Sequence, residues 1–155
     1  MHLTELAREY GDKPAVIMAD SDATLSYAEL ERQSNKIAHL FRSRGLRPGD
    51  HIAVLMENRL EFFPVVWAAQ RCGLFYTPVN WHLSADEAAY IVADCGARLL
   101  VSSSGLEEMA AAAACSAPAL RGRLTVGSPV PGVETLAEAM ASMPDTPVPG
   151  ELEGY

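Results

Sequence analysis

The sequence predicts an α/β protein with a mostly parallel sheet and helices on both faces. One observation is a series of short apolar runs, such as residues 51–56 and 98–101, which are typical of strands that are covered on both sides. The other is the set of helix starts and helical spacings that separate these runs. An alternation of strand and helix implies parallel strands that are joined by crossover helices.

The N-terminal elements are a short helix and a hairpin. Residues 3–10 place Leu3, Leu6 and Ala7 on one side of a helix. Residues 14–19 and 23–25 are strand-like, and the polar triplet between them indicates a hairpin turn.

The following helix has a well-defined start and end. Ser26 and Glu29 have the spacing of a capping box, in which each side chain binds the backbone N–H of the other residue. Apolar residues then recur at helical spacing as far as Phe41, and Gly45 stands where a left-handed cap is favoured. The turn at residues 47–50 leads into the strand at 51–56.

The next helix is predicted to be deeply buried. We expect Asn58 and Glu61 to cap it, and we expect it to reach about Cys72. The run Phe62–Ala69 is apolar nearly all round, which indicates a buried helix, and Pro64 should kink it or tighten its first turns. A buried strand at residues 74–79 follows.

The rest of the chain continues the alternation. Ser84 and Glu87 form a second predicted capping box, and the helix that they begin ends at Cys95 and Gly96. A buried strand, an Ala-rich helix, a further strand and a short helix are expected at 98–101, 105–116, 124–126 and 133–140. The Pro- and Gly-rich residues 143–155 are interpreted as an exposed connector, so the predicted α/β unit is residues 1–142.

Composition excludes several classes of function. The 155 residues suit one domain or a piece of a larger one. A net charge of −8 argues against a nucleic-acid partner. Three cysteines without a C-x-x-C pair favour neither zinc nor disulfides, which suits a cytoplasmic protein. No apolar stretch has the length of a transmembrane helix.

One loop has the composition and position of a binding site. Asn80-Trp81-His82-Leu83 follows a predicted strand, and α/β sheets bind ligands beyond the carboxyl ends of their strands. An aromatic side chain and an imidazole there suit a base or a phosphate. The alternative is that Trp81 packs against the body of the protein. No residue set suggests a catalytic or metal site.

The order of these motifs resembles a known family. The motifs follow one another in the same order as in the adenylate-forming superfamily. They are Leu25 to Leu30, the turn before residue 51, Cys72 to Asn80 and the helix–strand pair from Leu83 to Val101. From about Leu3 to Val101 the chain resembles the N-terminal portion of an AMP-forming acyl-CoA synthetase, in particular a fatty-acid–CoA ligase.

This resemblance implies a function for a longer protein. Family members convert a carboxylic acid and MgATP to acyl-AMP and then transfer the acyl group to CoA. Their phosphate loop, Mg²⁺ site and catalytic lysine would lie after Tyr155. The chain is then expected to be an incomplete first subdomain, inactive and without bound ATP, CoA or Mg²⁺, whose partner is the rest of the ligase. The resemblance also implies that Trp81 and His82 flank the nucleotide end of CoA.

Two other hypotheses remain open. The chain could be a stand-alone, non-catalytic interaction module, or a flavodoxin-like nucleotide-binding domain, although a Gly-rich phosphate turn is missing after its first parallel strand. If the chain is a fragment, we expect Phe62–Ala69 and the strand at 51–56 to expose apolar surface that causes self-association.

Overall fold

The computed structural model describes residues 3–152, and its elements alternate as the sequence predicts. The helices are α1 (Leu3–Tyr10), α2 (Tyr27–Ser43), α3 (Phe62–Arg71), α4 (Ala85–Asp94), α5 (Glu107–Ser116) and α6 (Leu136–Met140). The strands are β1 (Pro14–Ile17), β2 (Thr24–Ser26), β3 (His51–Leu55), β4 (Phe75–Pro78), β5 (Leu99–Ser103), β6 (Gly122–Val126) and β7 (Glu134–Thr135). A 3₁₀ turn, Ser104–Leu106, precedes α5.

The predicted parallel sheet is confirmed. Its strand order is β4-β3-β5-β6-β7, and all four pairings are parallel. Helices α2, α3 and α6 pack on one face around a cluster that includes Phe41 and Val54, and α4 and α5 pack on the other around Leu100. The hairpin β1–β2 is a separate two-stranded sheet that covers α1 and α2 through a small cluster with Leu25 and Leu30. No helix within residues 3–152 is long and apolar enough to cross a membrane.

Helix α2 has the predicted end but only half of the predicted start. The Ser26 hydroxyl accepts from the N–H of Glu29 at 3.2 Å. The Glu29 carboxylate does not return to Ser26; it accepts from Arg32 at 2.8 Å and from Gln33 at 2.6 Å, because these side chains lie one turn along the helix. At the other end Gly45 has a φ of 78°, and Leu46 closes the cap through its N–H to the carbonyl of Phe41 at 3.2 Å.

The predicted caps of α3 are wrong. Glu61 occupies the N-cap position without a capping bond, and its carboxylate lies 3.3 Å from Arg59 instead. Backbone bonds close the first turn, including that from the N–H of Phe62 to the carbonyl of Arg59. Pro64 falls within this turn, where its missing N–H costs little.

The expected exposure of α3 and β3 is wrong: α3 is buried or half-buried along the predicted run, and self-association of the chain stays a prediction. No residue of the run Phe62–Ala69 is exposed, and residues 52–56 are all buried, because α2, the hairpin cluster and the flanking strands cover them. Among the described residues, the large apolar side chains that are exposed lie elsewhere: Ile17, Phe75, Tyr76, Trp81, Tyr90 and Leu152.

Strand β4 is not the buried strand that the sequence predicts. It forms one edge of the sheet, where the side chains of Phe75 and Tyr76 are 52% and 44% exposed on opposite faces. Only the flanking Leu74 and Val79 are buried. Pro78 suits this position, since an edge strand has no outer neighbour that needs its missing N–H.

The C-terminal half follows the prediction with one added strand. Ser84 and Glu87 form the complete capping box at the start of α4. The two-residue β7 pairs with β6 just before α6, within the stretch that was predicted to be wholly helical. A second capping box, Thr135 with Glu138, starts α6.

The segment after α6 is mostly exposed, as expected, but it is held against the body of the protein. Val148 is 3% exposed and belongs to the core cluster beneath α2. Side chains of α2 donate to its backbone carbonyls, and the N–H of Leu152 donates to the carbonyl of Arg71 at 3.0 Å.

Candidate functional site at the carboxyl edge of the sheet

The carboxyl edge of the parallel sheet is the candidate functional site. Strand β3 is followed by β4 on one side and by β5 on the other, so the chain reverses direction across the sheet between β3 and β5. The loops that leave such a switch point diverge, and the crevice between them is where ligands bind in open α/β sheets. The loop after β4 opens onto the same edge.

The loop after β4 is a tight turn that presents two rings. The Asn80 side-chain oxygen accepts from the N–H of His82 at 3.0 Å, and the N–H of Leu83 donates to the carbonyl of Asn80 at 3.3 Å. Trp81 is 37% exposed, and its ring lies on that of His82, with centroids 3.6 Å apart and planes 31° apart. The indole therefore has a neighbour on one face, and His82 is itself exposed.

The crevice at the switch point is lined by groups from the ends of β3, β5 and β6. The Glu57 carboxylate accepts from the hydroxyl of Ser103. The Ser104 hydroxyl accepts from the N–H of Ser128 at 3.1 Å, above Gly127, whose φ is 98°. A Cβ at Gly127 would lie 2.9 Å from that hydroxyl, so only glycine lets the two loops approach this closely.

Arg59 stands over the same crevice. Its guanidinium pairs loosely with Glu61, and it would lie about 3.5 Å from a side chain at Gly127. A cleft of about 390 Å³ extends from Arg59 towards the hairpin, between Met18 and Phe63. These groups can hold a polar or anionic ligand by hydrogen bonds.

A larger cleft of about 440 Å³ lies beside this edge. It runs between α2 and α6 and reaches the ends of β6 and β7. Arg32 and Lys36 stand at its rim, but both are engaged, with Glu29 at 2.6 Å and with the carbonyl of Ala141 at 3.2 Å. These two cations therefore stabilise the helices on either side of the cleft, and we do not assign them to ligand binding.

Sequence reasoning located one side of this edge and missed the other. Trp81 and His82 lie where they were expected, beyond the carboxyl end of a parallel strand. Glu57, Arg59 and Ser103 were not identified, although each stands at or just after the end of a strand that was predicted to be buried. Their position at the ends of strands was the signal that could have identified them. Using it requires knowing which strands are neighbours in the sheet.

The electrostatics do not indicate an activated nucleophile at this edge. Burial raises the pKa of the Cys72 thiol, which lies in the core at the end of α3. In the part of the chain that the structure describes, the pKa is lowered for the carboxyl groups of Glu29, through Arg32, and Glu87, through hydrogen bonds from Ser84. Within residues 3–152 no three His, Cys, Asp or Glu side chains are placed to share a metal ion.

Comparison with known proteins gives a consistent result. The sequence profile of the family described as AMP-binding enzyme matches residues 3–150. A fatty acid–[acyl-carrier-protein] ligase from Streptomyces coeruleorubidus is 39% identical over 87 residues, which are 56% of this chain and 16% of that ligase. A crotonobetaine/carnitine–CoA ligase from Citrobacter koseri is 34% identical over 102 residues, 64% of this chain and 20% of that ligase.

The fold also occurs in a solved structure of a ligase. An anthranilate–CoA ligase in complex with anthranoyl-AMP superimposes with a TM-score of 0.87 and 18% sequence identity, covering 100% of this chain and 30% of that one. The chain thus spans a fifth or less of the two curated relatives and about a third of the solved one.

Proposed function

Since the chain belongs to the family of AMP-binding enzymes, we propose that it is part of a ligase that activates a carboxylic acid with ATP and transfers the acyl group from acyl-AMP to CoA. The single observation that carries this proposal is the family match over residues 3–150. The ligase activities in the names of both curated relatives support it. The proposed acid is a fatty acid, as in the name of the Streptomyces relative.

The chain by itself is proposed to be an inactive scaffold of that ligase. Its sequence contains no Ser/Thr/Gly-rich loop ending in Lys, and its only lysines are Lys13 and Lys36. Such a loop binds the phosphates of ATP through its backbone N–H groups, and Mg²⁺ binds together with the phosphates. We therefore place the ATP and Mg²⁺ sites in another part of the ligase. Residues 143–155 are proposed to lead towards that loop, and the ligase is proposed to be cytoplasmic.

Trp81 and His82 are proposed to contact the nucleotide end of CoA. The residues present fit a flat base, because the exposed indole and imidazole form a stacked pair at the carboxyl edge of the sheet. Stacking of a base on an aromatic side chain contributes about 1–3 kcal/mol in single-stranded nucleic-acid complexes. A neutral imidazole adds less to phosphate binding than a guanidinium would.

A carrier protein is a second candidate for the thiol acceptor. The Streptomyces relative, at 39% identity, is named for an acyl-carrier protein and not for CoA. A carrier protein would contact a broad surface, whereas CoA would place a base against the two rings. The two acceptors are therefore separated by how strongly each depends on Trp81.

The test measures the two half-reactions separately, in the chain alone and in the complete enzyme that contains it. We expect no acid-dependent pyrophosphate release from the chain alone. In the complete enzyme, Trp81→Ala should raise the KM for CoA roughly five- to a hundredfold, as the loss of one stacking contact implies, and leave acyl-AMP formation nearly unchanged. His82→Ala should act in the same direction but more weakly.

Tyr90→Ala is the matched control, since Tyr90 is an exposed aromatic on α4 and outside this loop. ATP- and acid-dependent turnover by the chain alone would refute its role as scaffold. Equal loss of both half-reactions in Trp81→Ala would assign Trp81 to packing. A complete protein without adenylation activity would leave the interaction module as the better hypothesis.

A further inference from the structure

Residues 143–152, here called the strap, run over α2 through contacts with the peptide backbone. Asn35 donates to the carbonyl of Asp145 at 2.9 Å, and His39 donates to that of Thr146 at 2.9 Å. Arg42 donates to the carbonyl of Pro149 and, at 3.4 Å, to that of Gly150. Residues 35, 39 and 42 lie on one side of the helix, one turn apart. Their side chains therefore bind successive backbone carbonyls along the strap.

The far end of the strap is held by a buried cation. Arg71 is fully buried at the end of α3, and its guanidinium binds the carboxylates of Glu31 and Glu151 and the hydroxyl of Ser34, the last at 3.1 Å. Glu31 belongs to α2 and Glu151 to the strap. A buried guanidinium needs such partners, because leaving one unpaired in the interior costs several kcal/mol.

The same end of the strap closes over the corner between α3 and β4. Leu152 covers Gly73, where a Cβ would collide with the Leu152 side chain. Gly73 also has a φ of 67°, and its carbonyl accepts from the N–H of Gly49 at 2.8 Å. The backbone conformation favours glycine here, and a larger residue would also displace the end of the Leu152 side chain.

From these contacts we infer that the strap is an integral but separately opening part of this domain and that Arg71 is the clamp that holds it shut. The strap is mostly exposed, and Val148 is its one buried apolar side chain within the described residues. A segment with so little apolar contact opens at a lower free energy than the whole domain unfolds. This inference does not depend on the proposed catalytic function.

Cys72 is a built-in reporter of that opening. Its thiol is buried next to Arg71 and donates to the carbonyl of Ala38 at 3.4 Å, between α2 and α3. Cys72 belongs to the same buried cluster as Val148 of the strap. Cys95 is half-buried at the end of α4, away from the strap, and Cys115 is exposed. A thiol reagent should label Cys115 first and reach Cys72 only when the strap opens.

The experiment compares labelling rates at each cysteine, by mass spectrometry, in the folded chain and its variants. Glu151→Gln keeps the shape of the side chain and removes one of the two charges that pair with Arg71. We expect it to accelerate labelling of Cys72 about tenfold or more without changing Cys95. Val148→Ala should accelerate Cys72 as well, by removing the apolar anchor.

Asp145→Asn is the matched control, because Asp145 lies on the same strap but contributes its backbone carbonyl to α2. Labelling of Cys72 in that variant should stay within about twofold of the parent chain, as for other surface substitutions. Unchanged labelling of Cys72 in both Glu151→Gln and Val148→Ala would overturn the inference. Equal acceleration at Cys95 would also overturn it, since the whole domain would then be opening.

Discussion

The two helical layers of this domain pack against opposite faces of the sheet with different kinds of side chain. Helices α4 and α5 close on the sheet with small side chains, and Ala88, Ala110 and Ala113 are fully buried there. On the opposite face, α2 and α3 meet over larger side chains and enclose the charged Arg71 and the polar Asn35. The alanine layer is held by close approach, whereas the α2–α3 layer depends on polar partners that come from distant parts of the chain.

The largest expected difference between the layers concerns their arginines. Arg71→Ala should destabilise the chain by about 3–5 kcal/mol, because it removes the buried cation that pairs with the carboxylates of Glu31 and Glu151. Arg123→Ala in β6 removes an ion pair with Glu107 of the alanine layer, which is partly exposed, and should cost about 1 kcal/mol or less.

Urea unfolding of the two variants measures this difference. Similar costs for both substitutions would contradict the comparison, since the fully buried Arg71 would then contribute no more than the partly exposed pair of Arg123 and Glu107. Arg71→Met, which fills the site without a charge, shows how much of the loss comes from volume alone.

The second expected difference is overpacking in the alanine layer. Ala113→Leu adds bulk where α5 touches the sheet and should cost about 1–3 kcal/mol. The half-buried Ala111 on the same helix is the matched control, and Ala111→Leu should be nearly neutral. Thermal unfolding of both variants checks this, and equal shifts would show that α5 is not held by close approach.

The smallest expected difference concerns two carboxylates, the half-buried Glu29 on one layer and the exposed Glu87 on the other. The pKa of Glu29 on α2 is lowered mainly by Arg32, and that of Glu87 on α4 mainly by hydrogen bonds from Ser84. A lowered folded pKa contributes stability above the usual carboxyl pKa of about 4.3, and this is lost as the pH falls through the lowered value. Salt screens the ion pair of Glu29 but not the short-range bonds of Glu87.

We therefore expect Glu29→Gln and Glu87→Gln to flatten the fall in melting temperature between about pH 5 and pH 3. High salt should reduce the difference between parent and variant at Glu29, whose main partner Arg32 is charged, and leave it unchanged at Glu87, whose partner Ser84 is neutral. A salt-sensitive effect at Glu87 would contradict the hydrogen-bond origin of its pKa shift.

Local signals in the sequence predicted local structure well. The capping box of Ser84 and Glu87, the left-handed cap at Gly45 and the turn before β3 all form as expected, because their partners lie within a few residues. Capping predictions failed where a neighbouring arginine competes for the carboxylate. Glu29 binds Arg32 in preference to the backbone of Ser26, and Glu61 lies beside Arg59.

The candidate site was predicted in part for the same reason. The position of Trp81 and His82 follows from the strand that precedes them, whereas the stacking of the two rings on each other is visible only in the structure. Glu57 and Ser103 lie 46 residues apart in sequence, and they meet because β3 and β5 are neighbours in the sheet.

The sequence by itself determined the α/β class, the order of the elements apart from β7, and the family, because periodicity, capping and motif order are properties of short segments. The tertiary structure alone decided that β4 is an edge strand, since an apolar run does not reveal whether it has one neighbour or two. It also decided that Arg71 is buried between Glu31 and Glu151, which lie 40 and 80 residues away. A charge is stable in the interior only when the fold brings such distant partners to it, and no local pattern encodes that meeting.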